Sequence, residues 1–129
     1  MPPASVFLID DNSQFLTSLR GFLVSHRNLV NVVDSAPSAE EALPRIAVLK
    51  PDILLLDLFL PGMNGIEFLP QVALASPATA VIVLTFYEFD EYRQAALQAG
   101  AIDLIPKARL GERLIPAIQS ALKPVLGVA

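Results

Sequence analysis

Asp10 and Asp11 stand side by side after one apolar run, Asp57 ends another, Thr85 ends a third, and Lys107 follows a fourth. Three carboxylates gathered in one place repel one another unless a cation stands among them. A donor set of oxygens alone suits Mg²⁺, which keeps some of its waters and commonly binds a phosphate as well. A carboxylate can also attack phosphorus as a nucleophile and form an acyl phosphate. A lysine ammonium and a metal ion would then neutralise the charge that builds on the equatorial oxygens during transfer. The absence of cysteine excludes disulfides, thiolate metal sites and thiol catalysis. The only histidine, His26, falls near the end of an amphipathic stretch and reads as a surface or boundary residue.

These residues converge only if the apolar runs before them lie side by side. The runs are Val6-Phe7-Leu8-Ile9, residues 29–33, Ile53-Leu54-Leu55-Leu56, Ala80-Val81-Ile82-Val83-Leu84 and residues 101–105. Three of the five are almost uninterrupted, as strands covered on both faces by helices require. Between them apolar residues recur at helical spacing, as in Phe15, Leu16, Leu19, Phe22 and Leu23. Ser38 followed by Glu41 reads as a capping box that opens a second helix. A third helix is expected near Gly65, a fourth near Phe89 with Asp90-Glu91 exposed at its start, and a fifth near Gly111. Five repeats of strand then helix predict an α/β, doubly wound, five-stranded parallel sheet with helices on both faces. In such a sheet ligands bind beyond the carboxyl ends of the strands. Pro44, Pro70 and Pro116 fall inside the expected helices, so those helices either begin later or bend. Asp52, after Lys50-Pro51, reads as the opening of the third strand.

With 129 residues and 53% hydrophobic composition the chain suffices for one domain, expected to span 1–129. Acidic side chains outnumber basic ones by 13 to 9, for a net charge of −4, which argues against direct nucleic-acid binding. No signal peptide opens the sequence, and every apolar run is too short to span a membrane. A cytoplasmic protein without membrane contact is expected.

In the order of its motifs the chain resembles a receiver domain of a two-component response regulator. The matching residues are Asp10-Asp11, the segment Asp57-Leu58-Phe59-Leu60-Pro61-Gly62-Met63-Asn64-Gly65, Leu84-Thr85, Ala99-Gly100-Ala101 and Pro106-Lys107. The resemblance runs over nearly the whole chain and is closest to receivers that precede helix-turn-helix output domains. It implies a flavodoxin-like sheet with strand order 2-1-3-4-5 and Asp57 as the phosphoacceptor. It further implies Mg²⁺ held by Asp10, Asp11, Asp57 and the backbone carbonyl of Phe59, with Thr85 and Lys107 on the phosphoryl oxygens. Asn64-Gly65 would shape the turn into the third helix. A sensor histidine kinase or phosphotransfer protein would be the donor. Helix four, strand five and helix five would form the partner or homodimer face. No catalysis is expected beyond the domain's own phosphorylation and dephosphorylation.

The sequence departs from the family pattern at several positions. Phe86 stands where receivers usually carry a small residue, and could partly cover Asp57. Leu104 occupies the position of an aromatic that swings inward in many receivers, which would make the switch modest. Ala108 replaces a common proline. Phe59 and Tyr87, two residues after the acceptor and the threonine, would flank the path of a hydrolytic water. Arg109 and Arg113 read as a solvated face. No output domain follows, so the sequence reads as a stand-alone receiver or a piece of a longer regulator.

Three other readings compete. An aspartate-nucleophile phosphatase would need a second aspartate at position 59, where phenylalanine stands. A flavin or nucleotide site would need a Gly/Ser/Thr-rich loop in place of Asp10-Asp11, which repel phosphate unless a cation is bound. The remaining alternative is a receiver-like scaffold that binds partners without being phosphorylated.

Overall fold

The computed structural model describes residues 2–123; Met1 and residues 124–129, the two ends of the expected domain, lie outside the described residues. The strands are β1 (Ala4–Ile9), β2 (Val30–Ala36), β3 (Ile53–Asp57), β4 (Phe59–Leu60), β5 (Met63–Asn64), β6 (Ala80–Thr85) and β7 (Asp103–Pro106). The helices are α1 (Ser13–Val24), α2 (Ala39–Leu49), α3 (Gly65–Ala75), α4 (Asp90–Gln98) and α5 (Leu110–Ala121), with one 3-10 turn at Lys107–Arg109. A five-stranded sheet of order β2-β1-β3-β6-β7 has every neighbouring pair parallel. This is the expected 2-1-3-4-5 order, with β6 and β7 as its fourth and fifth strands. The remaining two, β4 and β5, form a separate two-residue antiparallel ladder that the sequence pattern did not announce. Gly62 closes its turn at a φ of 78°, a conformation that glycine adopts without a Cβ penalty.

Alternation along the strands sends successive side chains to opposite faces. Phe7, Ile9, Leu54, Leu56, Val81, Val83 and Leu104 meet α2, α3 and α4 on one face. Val6, Leu8, Ile53, Leu55, Ile82, Leu84 and Ile105 meet α1 and α5 on the other. The central strands β1, β3 and β6 are apolar on both sides because both sides are covered, which accounts for their uninterrupted runs. At one edge, β2 extends past the expected 29–33 to Ala36, pairing with β1 as far as Ile9. The register slips between Val6 and Phe7, so Val33 has no partner across the ladder and is 38% exposed. At the other edge β7 begins at Asp103 rather than 101, leaving Ile102 half-exposed.

The prolines do not delay the helices. α2, α3 and α5 run through Pro44, Pro70 and Pro116, each beyond the first turn. Each proline forfeits one backbone hydrogen bond, at roughly 3 kcal/mol for an interior position. Capping fixes where two of these helices begin: the Glu41 N–H donates to Ser38 Oγ at 3.2 Å, and the Glu67 N–H to Asn64 Oδ1 at 3.1 Å. At the far end of the sheet Asp52 ties β1 to β3, its Oδ2 accepting from the Ser5 N–H at 2.9 Å. Among the described residues no helix is long and apolar enough to cross a membrane.

Candidate functional site

Beyond the carboxyl ends of β1, β3 and β7 the chain turns into loops, and the polar residues at those turns face one cavity. Asp10, Asp11, Asn12, Asp57, Phe59, Phe86, Tyr87, Phe89, Tyr92 and Lys107 line its volume of about 460 Å³. Carboxylate oxygens of Asp10, Asp11 and Asp57 lie within 4.8 Å of one another. Asp11 is exposed, whereas Asp10 and Asp57 are buried. The Asp10 carboxylate is held from two sides: Oδ1 accepts from the Asn12 N–H at 2.9 Å and Oδ2 from Lys107 Nζ at 2.8 Å. Asn12 in turn caps α1, its Oδ1 accepting from the Phe15 N–H at 3.0 Å. The acidic loop and the start of α1 are therefore one hydrogen-bonded unit.

Asp57, the last residue of β3, has the Lys107 ammonium 3.7 Å from its Oδ1, which also accepts a long hydrogen bond from the Phe59 N–H at 3.4 Å. Burial raises its pKa from 3.8 to about 6, and the negative charge of Asp10 adds to the rise. Lys107 and the Phe59 N–H pull the other way, and Asp11 pushes slightly further up. A carboxylate that is costly to ionise among two others fits a site completed by a hard dication, and the ligand atoms present are all oxygens.

Beneath Asp57 the backbone has almost no slack. A Cβ on Gly65 would come within 2.7 Å of the Asp57 carbonyl oxygen, and the Gly65 N–H donates to the Leu58 carbonyl at 2.6 Å. Asn64 and Gly65 thus do separate work, one capping α3 and the other letting the helix start against β3.

Seven of the residues singled out by sequence gather here: Asp10, Asp11, Asp57, Phe59, Phe86, Tyr87 and Lys107. Thr85 ends β6 as expected but does not line the cavity. It is fully buried, and its Oγ1 accepts from the Tyr87 N–H at 3.1 Å. Phe86 lines the cavity, yet its ring stands over the Lys107 ammonium at 4.3 Å. Leu104 is already inward, at 3% exposure in the apolar layer beneath α4. His26 bonds locally, its Nδ1 lying 3.1 Å from both Ser25 Oγ and the Phe22 carbonyl. Arg109 pairs with Glu88 and Glu112 on the surface. Sequence reasoning placed Phe59 and Tyr87 beside the site but missed the aromatic wall they build with Phe89 and Tyr92. Phe59 packs edge-on against Tyr87 at 5.4 Å and Tyr92 at 5.5 Å, and Phe89 lies 5.5 Å from Tyr92. The four aromatics within a few residues of one another near position 89 were the available signal.

The family model of the response regulator receiver domain matches residues 6–119. The chain belongs to that family, and so is a receiver domain of the two-component systems. Among curated relatives it is 39% identical over 115 residues to a protein-glutamate methylesterase/protein-glutamine glutaminase of Myxococcus xanthus, covering 87% of this chain and 33% of that protein. It is 33% identical to the nitrate/nitrite response regulator protein NarL of Escherichia coli, covering 92% of this chain and 55% of that protein. Among solved structures, a LuxR-family two-component response regulator from Aurantimonas superposes with a TM-score of 0.84 at 29% identity, covering 92% of this chain and 84% of that one. The chain thus spans about a third to a half of the length of these curated relatives.

Proposed function

We propose that Asp57 accepts a phosphoryl group in a Mg²⁺-dependent reaction, from a sensor histidine kinase or a phosphotransfer protein. The observation that carries this reading is the Lys107 ammonium bridging Asp10 and Asp57 beside an exposed Asp11 at the strand ends. In the transfer, an Asp57 carboxylate oxygen forms the new bond to phosphorus. The donor's P–N bond breaks, and the leaving imidazole takes up a proton. Asp10, Asp11, Asp57 and the backbone carbonyl of Phe59 would hold Mg²⁺, whose charge offsets that of the incoming phosphoryl group. Lys107 would pair with one phosphoryl oxygen. Thr85 would reach another by giving up its bond from the Tyr87 N–H. The chemistry of the domain would be limited to its own phosphorylation and dephosphorylation, in the cytoplasm.

Incubation with acetyl phosphate or phosphoramidate and Mg²⁺ should add one phosphoryl mass to the native chain and none to Asp57→Asn, because an amide is no nucleophile here. The same adduct on Asp57→Asn would overturn the assignment. The alternative, a receiver-like scaffold that binds partners without phosphorylation, draws support from the ring of Phe86 over Lys107. It predicts no adduct on either chain.

The output face would be α4, β7 and α5, serving a partner or a homodimer. Arg93 already links two of these elements, donating to Asp103 at 2.6 Å and to the Leu104 carbonyl at 3.1 Å. Because Leu104 is inward before any modification, the population shift should be modest. Amide shifts recorded with the phosphate mimic beryllofluoride should move across residues 88–122. Large changes confined to α1, with that stretch still, would show signalling through another face.

A further inference from the structure

We propose that Phe15 and Phe86 form an aromatic clamp that positions Lys107, a deepening of the reading that Asp57 is the phosphoacceptor. The Lys107 side chain is only 3% exposed. An ammonium taken out of water needs compensation on every side. Its carboxylate partners, Asp10 Oδ2 at 2.8 Å and Asp57 Oδ1 at 3.7 Å, account for one side. Two rings supply the rest: Nζ stands 4.1 Å from the Phe15 centroid and 4.3 Å from that of Phe86. Both distances are well within reach of the attraction between a cation and an aromatic face. The rings also meet each other, edge to face, at 6.5 Å.

The two rings come from opposite ends of the molecule's economy of burial. Phe15 lies in the first turn of α1, and packs on the apolar layer beneath α1 and α5. Its backbone N–H is the one that Asn12 caps, so the loop bearing Asp10 and Asp11 also sets this ring. Phe86 follows β6 and is 67% exposed, although its large apolar ring would gain from burial elsewhere. Its contacts with Phe15 and Lys107 give the exposed ring a role.

The clamp removes water from the ammonium and restricts the rotamers of a four-carbon stem. The charge is thereby held between Asp10 and Asp57, on the side where phosphoryl oxygens arrive, in surroundings where it acts more strongly than in water. Phe15 and Phe86 are positioning residues: they act through Lys107.

The chain has three lysines, Lys50, Lys107 and Lys123, so their ammonium groups are readily assigned in proton–nitrogen spectra. The native Lys107 ammonium should exchange slowly with water and resonate upfield under the two rings. Phe86→Leu and Phe15→Leu, which keep bulk and lose the π face, should each move the signal downfield or exchange-broaden it. Phe86→Tyr should preserve it. Mg²⁺-dependent phosphorylation by phosphoramidate should slow roughly 3- to 10-fold in both leucine variants and recover in Phe86→Tyr. An unchanged ammonium signal in both leucine variants would overturn the clamp. So would faster phosphorylation of Phe86→Leu with Phe15→Leu unaffected, the pattern of a ring that merely obstructs entry. If the native chain takes no phosphoryl group, the reading of Asp57 fails, and the ammonium spectra still decide the clamp. Should Phe15→Leu not fold, the exposed position 86 carries the test through its leucine and tyrosine variants.

Discussion

Asp57→Asn should be more stable than the native chain at pH 7.5 in the absence of Mg²⁺, by about 3 kcal/mol, or roughly 10 °C in Tm for a domain of this size. The native carboxyl has a folded pKa of about 6 against 3.8 when unfolded, chiefly because of burial and then the nearby charge of Asp10. Between those values the folded chain binds the proton that the unfolded chain has released, so native stability falls as pH rises from about 4 to about 6 and is level above. Asparagine has the same shape and no charge to desolvate, so it escapes that loss. The two chains should therefore be nearly equal in stability at pH 4 and diverge across that window. Mg²⁺ should narrow the gap at pH 7.5, since it stabilises the ionised native site, and its affinity should weaken as pH falls through about 6. Urea unfolding of both chains at several pH values checks this. A less stable Asp57→Asn at pH 7.5 would mean that the Lys107 pair at 3.7 Å outweighs desolvation.

Much of this molecule can be read from its residues in order, and the reasons for success and failure are local. The central strands were legible because burial on both faces leaves no room for polar residues, so Ile53-Leu54-Leu55-Leu56 can be little else. The edges were less so: Asp34 and Ser35 sit within β2 because its outer margin faces solvent, and no apolar run marks them. Prolines at 44, 70 and 116 left open whether those helices begin late or bend; caps at Ser38 and Asn64, together with packing, set early starts for α2 and α3 despite the lost hydrogen bonds. The gathering of Asp10, Asp11, Asp57 and Lys107 followed from strand-end placement alone. The aromatic surroundings did not, because ring contacts between α1 and the loop after β6 depend on side-chain directions that periodicity does not encode. Phe86 illustrates the difference. Its bulk suggested a partial cover over Asp57, and it does line the same cavity, but its ring contacts with Lys107 and Phe15 could not be read from the sequence.

Phe59→Asn combined with Tyr87→Glu should speed hydrolysis of the Asp57 phosphoryl group by roughly 10- to 100-fold, because positioning of the attacking water dominates that barrier. Water must arrive in line with the P–O bond and be held there. In the native cavity the rings of Phe59 and Tyr87 meet edge to face at 5.4 Å, with Tyr92 against Phe59 and Phe89 stacked on Tyr87. Ring faces hold a water far less firmly than an oxygen acceptor does, and both residues are about half-exposed. Their exposure means that replacement should cost the fold little, so a changed rate would report on the site. Asparagine at 59 and glutamate at 87 remove the paired rings and supply oxygen acceptors on both sides of the approach. The single variants should each give part of the gain, with the remainder appearing only when both rings are gone. After the donor is removed, the decay of the phosphoryl adduct followed by intact mass gives the rate directly. A double variant that decays at the native rate would show that this wall does not control access of water.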